Sequence, residues 1–269
     1  MLKFAVVIPF RPKIQSIYWD KESELLQKTV QSVMQQTYPH VKTFVVYTDE
    51  PVNAITDKRV QYVQLPFAHQ RFDEIPIREV LLQKFKSEKM VVRRWDKARR
   101  VNWGCKLAKE EGYDYIMMLD ADDLLSKNLF TVLAAAAQNG ACAGWYMHSG
   151  FLYKPGTPYF LLVPNKMRFL NGSTHILKSD LILIPDFQST NWLDYNLFID
   201  HGWVKTRLKE EKNIDLIPIK KPMLVYVAHG SNISKVYSKE YGKTFKNVIK
   251  HLLRARYLSK RKKEEFSIQ

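Results

Sequence analysis

Three carboxylates, Asp120, Asp122 and Asp123, stand together in the middle of this chain, directly after the apolar run Tyr115 to Leu119. Such a run predicts a buried strand, and open α/β sheets bind ligands at the carboxyl ends of their strands. Neighbouring carboxylates repel one another, so they need a cation or basic groups nearby. Mg²⁺ or Mn²⁺ is commonly held by one or two carboxylates together with water and substrate phosphates. The pattern therefore predicts a metal and phosphate site.

A simpler explanation exists for the same residues. Asp122 and Asp123 can begin a turn and cap a following helix, which the sequence places from Leu124 to Gln138. That explanation needs neither metal nor substrate, and the Asp-x-Asp spacing alone is a weak signal. The apolar strand before it and the matching segments upstream favour the functional interpretation.

Length and composition indicate one large α/β domain. The chain has 269 residues, enough to bury a full core. No apolar stretch approaches the roughly 20 residues that span a bilayer, and no signal peptide is predicted. The two cysteines, Cys105 and Cys142, lack metal-binding spacing and are expected to be reduced core residues. These features predict a cytoplasmic protein.

The charge balance indicates an anionic partner. The formal net charge is +15, and the segment from Lys235 to Gln269 contains eleven Lys or Arg against three Glu. Apolar residues in this segment recur at helical spacing, which predicts a basic amphipathic helix or tail over residues 236–269. Its apolar stripe can dock on the core or lie on an anionic membrane surface, and one helix can do both in different portions.

Strands and helices alternate through the first half of the chain. This order predicts an α/β fold with a Rossmann-like, mainly parallel sheet flanked by helices. The predicted strands are Phe4 to Pro9, Val41 to Tyr47, Val60 to Leu65 and the run before the carboxylates. One predicted helix has an apolar face from Leu25 to Met34 and ends near Tyr38 and Pro39, and another runs from about Lys97 to Glu111.

The second half is less regular. We predict strands at Ala141 to His148, Tyr159 to Val163 and Thr174 to Leu177, and a helix from Asn191 to Leu208. No repeat or flexible linker separates the halves, so residues 1–235 are predicted to form one domain.

Four segments in this order resemble the family 2 glycosyltransferases of the GT-A fold. The first, Val6 to Phe10, is similar to that family's first strand, and Thr29 to Pro39 is similar to its first helix and turn. The third, Lys97 to Gly104, is similar to the family's Lys-Ala-x-x-x-Asn-x-Gly segment, and Asp120 to Asp123 follows about twenty residues later. The resemblance covers residues 1–130 well and extends loosely to about 235. It implies a donor half at 1–130 and an acceptor half at 131–235.

The resemblance also implies roles for individual residues. Asp122 would bind the metal, and Asp120 would contact it through water or contact the ribose of the donor. A divalent ion across a nucleotide diphosphate would stabilise charge on the leaving phosphate. Other residues implied at the nucleotide-sugar site are Pro9, Phe10, Arg11, Lys97 and Asn102. Lys97 can alternatively be a solvated residue of its helix.

The sequence departs from the family pattern in two places. Paired aspartates often hold the base at the end of the second strand, whereas this chain has Tyr47, Asp49 and Glu50 there. Tyr47 can stack on the base, or Asp49 or Glu50 can bind it. The second departure is the charged segment 67–96, which can be a helical insertion over the donor site. Its four arginines are either phosphate contacts or exposed charge: Arg71, Arg78, Arg93 and Arg94.

An inverting transferase needs a general base that accepts the proton of the acceptor hydroxyl. The resemblance places this carboxylate on a helix in the second half, where Asp194 is the first candidate and Asp200 the second. Asp194 can instead stabilise the start of its helix. His229 lies in a segment similar to the family's closing Tyr-x-x-His segment, and it either completes the metal shell or has a structural role.

These features predict a metal-dependent, inverting glycosyltransferase using Mn²⁺ or Mg²⁺. It would move a sugar from a nucleotide-sugar, with a UDP-sugar favoured, to a hydroxyl of a glycan or lipid-linked acceptor in polysaccharide or glycoconjugate synthesis. The expected location is cytoplasmic and peripheral to the membrane. The alternatives are a nucleotidyltransferase, which ordinarily carries a Gly-rich loop near the first strand, a basic nucleic-acid-binding protein, and a sugar-binding protein without turnover. No recognition motif for specific nucleic acid is present.

Overall fold

The fold is built around a seven-stranded sheet in the computed structural model, which describes residues 1–138, 140, 142–199, 201–229 and 245–268. The spatial order of its strands is β10-β6-β9-β4-β1-β2-β3. A second sheet has five strands in the order β12-β8-β7-β11-β5. The strands are β1 Phe4–Pro9, β2 Val41–Tyr47, β3 Val60–Gln64, β4 Tyr115–Met118, β5 Asp123–Leu125, β6 Gly144–Met147, β7 Gly150–Tyr153, β8 Tyr159–Val163, β9 His175–Lys178, β10 Ile217–Ile219, β11 Leu224–Val227 and β12 Ala255–Tyr257.

Helices cover both faces of the larger sheet and separate its strands along the chain. Two hydrophobic clusters, one on each side of β1, contain alternate residues of this strand, so β1 is buried on both faces. The helices of the described residues are α1 Trp19–Met34, α2 Arg78–Phe85, α3 Glu88–Glu110, α4 Leu129–Ala137, α5 Met167–Leu170, α6 Trp192–Ile199, α7 Val204–Lys212, α8 Phe245–Arg254 and α9 Lys260–Glu265.

The predicted fold class is confirmed. Strands β4, β1, β2 and β3 are parallel neighbours, β10 is parallel to β6, and β9 is antiparallel to both β4 and β6. The carboxyl ends of the four parallel strands therefore meet at one edge of the sheet, which is the edge where β4 is followed by the carboxylates.

The predicted helix from Leu124 to Gln138 begins too early. Leu124 and Leu125 belong to strand β5, and the helix is Leu129–Ala137. The two leucines pair with Val225 and Leu224 of β11, a distant strand whose position the local sequence does not reveal. The predicted helix Asn191 to Leu208 is likewise two helices, α6 and α7, with a 3₁₀ turn at His201–Trp203. Tertiary pairing and packing thus override local periodicity at both places.

Helix α3 lies close to the sheet, and Gly104 explains how. A Cβ atom at this position would lie 3.0 Å from Val46 Cγ2 and closer still to Val7 Cγ1. The missing side chain lets the helix backbone approach β1 and β2, which places the N-terminal half of α3 over the carboxyl edge of the sheet. The predicted insertion at 67–96 is largely helical, since it contains α2 and the start of α3.

The C-terminal tail docks on the smaller sheet in part. Leu258 and Phe266 are buried in a cluster with Phe151 and Phe160, and Ser126 Oγ donates to Glu265 Oε1 at 2.8 Å. Within the described residues, no helix is both long enough and apolar enough to cross a bilayer.

Candidate active site

The three carboxylates lie where the chain crosses from one sheet to the other. Strand β4 ends at Met118 in the larger sheet, and β5 begins at Asp123 in the smaller sheet. The backbone N–H of Asp123 donates to the carbonyl oxygen of Asp120 at 3.1 Å, which closes a tight turn between them. Asp120 and Asp122 are therefore presented at the junction of the sheets.

The loop before β9 holds the cluster from the opposite side. Ser173 Oγ accepts a hydrogen bond from the backbone N–H of Asp120 at 2.8 Å and donates one to Asp123 Oδ2. Asn171 Nδ2 donates to the same oxygen at 2.7 Å. Asp123 is fully buried, so these bonds fix its carboxyl group and the turn that carries its two neighbours.

The cluster fits a divalent cation. Asp120, Asp122 and Asp123 each offer a carboxylate oxygen, and these oxygens lie within 4.8 Å of one another. The second oxygen of Asp123, Oδ1, is buried without a hydrogen-bond partner among the described residues. A buried oxygen of this kind needs a partner, and an all-oxygen set suits Mg²⁺ or Mn²⁺.

Two basic side chains contact the carboxylates of Asp120 and Asp122. Lys97 Nζ donates to Asp120 Oδ1, and His229 Nε2 lies 2.8 Å from Asp122 Oδ2. His229 reaches this position because β11 is antiparallel to β5, with Tyr226 opposite Asp123. The Lys97 contact offsets part of the repulsion between the carboxylates, and both contacts hold carboxylate side chains toward one cleft.

This cleft has a volume of about 1030 Å³, counting the open solvent at its mouth. The residues predicted for the donor and metal site that line it are Pro9, Phe10, Arg11, Lys97, Asp120, Asp122 and His229. The residues lining it that we did not assign to this site from the sequence include Gln15, Glu22, Arg100, Asn171 and Gly172. The lining comes from the end of β1, from α1 and α3, from the carboxylate turn and from the loop before β9, so the cleft lies where the two sheets meet.

One wall of the cleft is strongly basic. It is formed by Arg93, Arg94, Lys97 and Arg100 of α3 together with Arg11 after β1. Burial, together with the charge of the nearby Arg11, lowers the pKa of Arg93. Half-buried like charges gathered along one wall are costly unless an anion shares the space.

Carboxylates of the protein neutralise part of this wall. Arg11 Nη1 lies 3.0 Å from Glu22 Oε1, and Arg100 Nη2 lies 2.6 Å from Asp96 Oδ2. Arg94 instead has its guanidinium carbon 5.6 Å from the centre of the Phe85 ring, and its Nε, like that of Arg100, is buried without a hydrogen-bond partner among the described residues. The wall therefore retains positive charge in the same cleft as Asp120 and Asp122, an arrangement suited to a metal-bound diphosphate.

Four of the predicted site residues lie outside the cleft lining. Asp49 Oδ2 accepts from the backbone N–H of Lys13 at 2.7 Å, and Tyr47 packs against the core. Asn102 is fully buried in α3, and both polar atoms of its side chain lack a partner among the described residues. The fourth is Asp194. The end of β2 still reaches the cleft through Arg100 Nη2, which lies 3.4 Å from Thr48 Oγ1.

Asp194 occupies the first turn of α6. Its carboxylate accepts hydrogen bonds from Ser189 Oγ and, at 3.3 Å, from Asn191 Nδ2. These bonds are the local ones expected at a helix start. Leu197, one turn later, lines a smaller space that Lys97 and Asp120 also line, so α6 lies next to the carboxylate cluster. Asp200, the second candidate for the general base, lies outside the described residues.

Sequence reasoning missed the loop that supports the carboxylates. Asn171, Gly172 and Ser173 precede the predicted strand Thr174 to Leu177 without a recognisable motif. A run of three small or amide residues directly before a strand was the available signal. Of the four arginines singled out in the segment 67–96, the structure places Arg93 and Arg94 in the cleft lining but not Arg71 or Arg78.

The carboxyl of Asp123 has a pKa well above its usual range because it is fully buried and lies beside Asp122 and Asp120. As pH rises above the unfolded pKa of about 4, the unfolded chain loses this proton while the folded chain keeps it, so folding stability falls. In a chelator, we expect Asp123→Asn to exceed wild type in melting temperature by a margin that widens from pH 4 toward neutrality.

Thermal unfolding of both proteins across this pH range measures that margin. Asp180→Asn is the matched control. Lys178 lowers the pKa of the exposed Asp180, so the contribution of ionised Asp180 to stability is lost as pH falls, opposite to the behaviour of Asp123. A margin for Asp123→Asn that stays constant or narrows with rising pH would contradict the expected ionisation behaviour.

No known family profile matches the chain, and no match was found among curated proteins. The fold is similar to solved structures of S. aureus TarS. The TarS 1–349 structure has a TM-score of 0.48 and 13% identity over 84% of this chain and 60% of that chain. Its UDP-GlcNAc complex has a TM-score of 0.48 and 14% identity, over 86% of this chain and 60% of that one.

A structure described as a candidate nucleotide-diphospho-sugar transferase from Desulfovibrio desulfuricans G20 has a TM-score of 0.38 and 10% identity. The alignment covers 94% of this chain and 96% of that chain. This chain spans about three-fifths of the length of the TarS 1–349 structures. At this degree of similarity, none of these structures assigns a function to this chain.

Proposed function

We propose that this protein is a metal-dependent glycosyltransferase that takes a sugar from a nucleotide-sugar. The observation that carries the proposal is one cleft at the carboxyl edge of the parallel strands, lined by Asp120 and Asp122, with Asp123 buried behind them, and by four arginines and a lysine. The carboxylates suit a divalent cation, and the basic wall suits a diphosphate. The sequence resemblance to family 2 glycosyltransferases points to the same chemistry.

Each part of the cleft has a distinct task in this proposal. Asp122 and Asp120 would hold the cation, with Asp123 behind them, and a bound divalent ion would stabilise negative charge on the diphosphate leaving group. Arg93 and Arg94 would bind the phosphate oxygens. His229 orients Asp122 through their 2.8 Å contact. These residues would bind and orient the donor while its sugar is transferred.

We assign the acceptor side to the second half of the chain, with Asp194 as the proposed general base for inversion. Its present hydrogen bonds to Ser189 and Asn191 would have to give way to an acceptor hydroxyl. The acceptor is proposed to be a glycan or a lipid-linked glycan, and a UDP-sugar is the proposed donor. A cytoplasmic location belongs to the same proposal, as do the single catalytic domain at 1–235 and a role in polysaccharide or glycoconjugate synthesis.

A thermal-shift panel tests the donor site directly. The panel contains UDP, GDP, CDP, their common sugar conjugates and the nucleoside triphosphates, each with Mn²⁺ or with EDTA. A ligand at 100 times its Kd stabilises the folded form by about 2.7 kcal/mol, which corresponds to roughly 5–10 °C for a chain of this size. We expect one diphosphate and its sugar conjugates to produce this shift with Mn²⁺ and not with EDTA.

Two results would overturn the proposal. Absence of any metal-dependent nucleotide shift would remove the donor site. A shift with nucleoside triphosphates but not with nucleotide-sugars would favour nucleotidyl transfer, which also uses metal-binding carboxylates. Binding of nucleic acid that disappears with added salt and is indifferent to Mn²⁺ would indicate only a non-specific basic surface.

A further inference from the structure

Helix α8 and the strand that follows it present an apolar face to solvent. Ile249, Leu252, Leu253 and Tyr257 form this face, with exposed fractions of 44%, 77%, 71% and 75%. Ile249 lies three and four residues before the two leucines, so these three side chains occupy one side of the helix. We call these four residues the α8 face. A group of large apolar side chains with this degree of exposure commonly marks an interaction surface.

The structure holds the α8 face in place. Strand β12, directly after α8, pairs antiparallel with β8, with Tyr257 opposite Tyr159. Beyond it, the backbone N–H of Lys127 donates to the carbonyl oxygen of Glu265 at 2.9 Å, which fixes helix α9. Arg256 Nη1 donates to the carbonyl oxygen of Leu253 at 3.0 Å and so caps the end of α8. Leu252 and Leu253 are therefore exposed on a segment that is fixed to the rest of the fold, and not on a free chain end.

Exposed basic side chains are close to the α8 face in the sequence. Arg256 lies between Leu253 and Tyr257, and Lys260, Arg261 and Lys263 follow in α9. Lys262 points the other way, with its Nζ 4.5 Å from the centre of the Phe151 ring. An apolar face within a strongly basic segment matches the interface of an anionic bilayer, which takes up the apolar side chains and attracts the charges. A second copy of this chain would bring an equally basic segment and be repelled.

We propose that the α8 face docks this protein on an anionic membrane surface. The smaller sheet places that surface relative to the cleft. Strand β12 and strand β5 are the two edges of its five strands, four spacings apart, or roughly 19 Å. Asp123 begins β5, so about four strand spacings across the smaller sheet separate β12 from the carboxylate cluster. This inference concerns a surface apart from the donor cleft and does not depend on the proposed reaction.

Vesicle flotation of the full chain tests this docking. Wild type is mixed with vesicles of phosphatidylcholine alone or with added phosphatidylglycerol, and the bound fraction is measured at low and high salt. We expect binding to the anionic vesicles, weakened by salt, and none to the neutral ones. The double variant Leu252→Ser and Leu253→Ser should lower the partition coefficient by about tenfold or more, since two largely exposed leucines lose their apolar contact with lipid.

A matched control uses two other exposed leucines. Leu183 and Leu193 have exposed fractions of 67% and 66%, and the double variant Leu183→Ser and Leu193→Ser should float like wild type. Equal flotation of wild type and the Leu252/Leu253 variant would overturn the proposal. Failure of wild type to bind anionic vesicles would overturn it as well. So would light scattering that shows a dimer in wild type and in the Leu183/Leu193 variant but not in the Leu252/Leu253 variant. The nucleotide panel contains no lipid, so its outcome is independent of these results.

Discussion

Replacing Asp122 by Ala is expected to lower the rate of nucleotide release from the donor sugar by about 10³-fold, because metal stabilisation of the leaving group supplies several kcal/mol and each 1.36 kcal/mol is a factor of ten. Asp122 is partly exposed in the cleft, beside His229, and it belongs to the cluster whose oxygens lie within 4.8 Å of one another. Its loss leaves Asp120 and the buried Asp123 as the remaining carboxylates.

The measurement is release of the nucleoside diphosphate from the sugar conjugate that the thermal panel selects, at several Mn²⁺ concentrations. The Mn²⁺-dependent thermal shift should disappear in Asp122→Ala, while the fold persists without metal. Asp180→Ala is the matched control, since Asp180 is an exposed aspartate whose ion pair with Lys178 is worth little. Wild-type turnover in Asp122→Ala would exclude this cluster from the reaction.

The double variant Arg93→Ala and Arg94→Ala is expected to lower kcat/KM for the donor by about 10²–10⁴-fold, since two hydrogen bonds to a charged group contribute about 1.5–3 kcal/mol each. Both arginines line the cleft, and Arg94 Nε is buried without a hydrogen-bond partner among the described residues. A bound diphosphate would accept hydrogen bonds from the parts of the two guanidinium groups that line the cleft, so the loss should fall mainly on donor binding.

Steady-state kinetics with varied donor concentration checks this expectation. The control is the double variant Arg71→Ala and Arg78→Ala, which removes the same two charges from the same segment of sequence. Arg71 is 74% exposed and ion-paired with Asp73, and neither Arg71 nor Arg78 lines the cleft. Equal losses in the two double variants would show that only the general positive charge matters, and not contact with the donor.

Local sequence patterns predicted the parallel strands of the larger sheet and the edge that carries the carboxylates. Strands Phe4–Pro9 and Val41–Tyr47 were predicted with their observed bounds, and Asp120 does follow a buried strand. Such features depend on neighbours a few residues away: alternation or runs of apolar residues, prolines that end a strand, and charged groups that must face solvent. Because these effects are local, the sequence by itself indicates which strand carries acid groups to the edge of a sheet.

The smaller sheet and much of the cleft depend on tertiary contacts that the local sequence does not reveal. Strand β5 has three residues, too few for a periodic pattern, and it exists because β11 pairs with it. That pairing brings His229 to Asp122, 107 positions apart in the chain. The support of Asp123 by Asn171 and Ser173 likewise depends on how the loop before β9 packs.

The arginines illustrate the difference between the two levels. The sequence presents Arg71, Arg78, Arg93 and Arg94 as four charges in one polar segment, with nothing to distinguish cleft from solvent. The close packing of α3 on β1, allowed by Gly104, places only the last two in the cleft lining. Propensity and periodicity act over a few residues, whereas the shape of a cleft is set by contacts between distant segments that must be satisfied together.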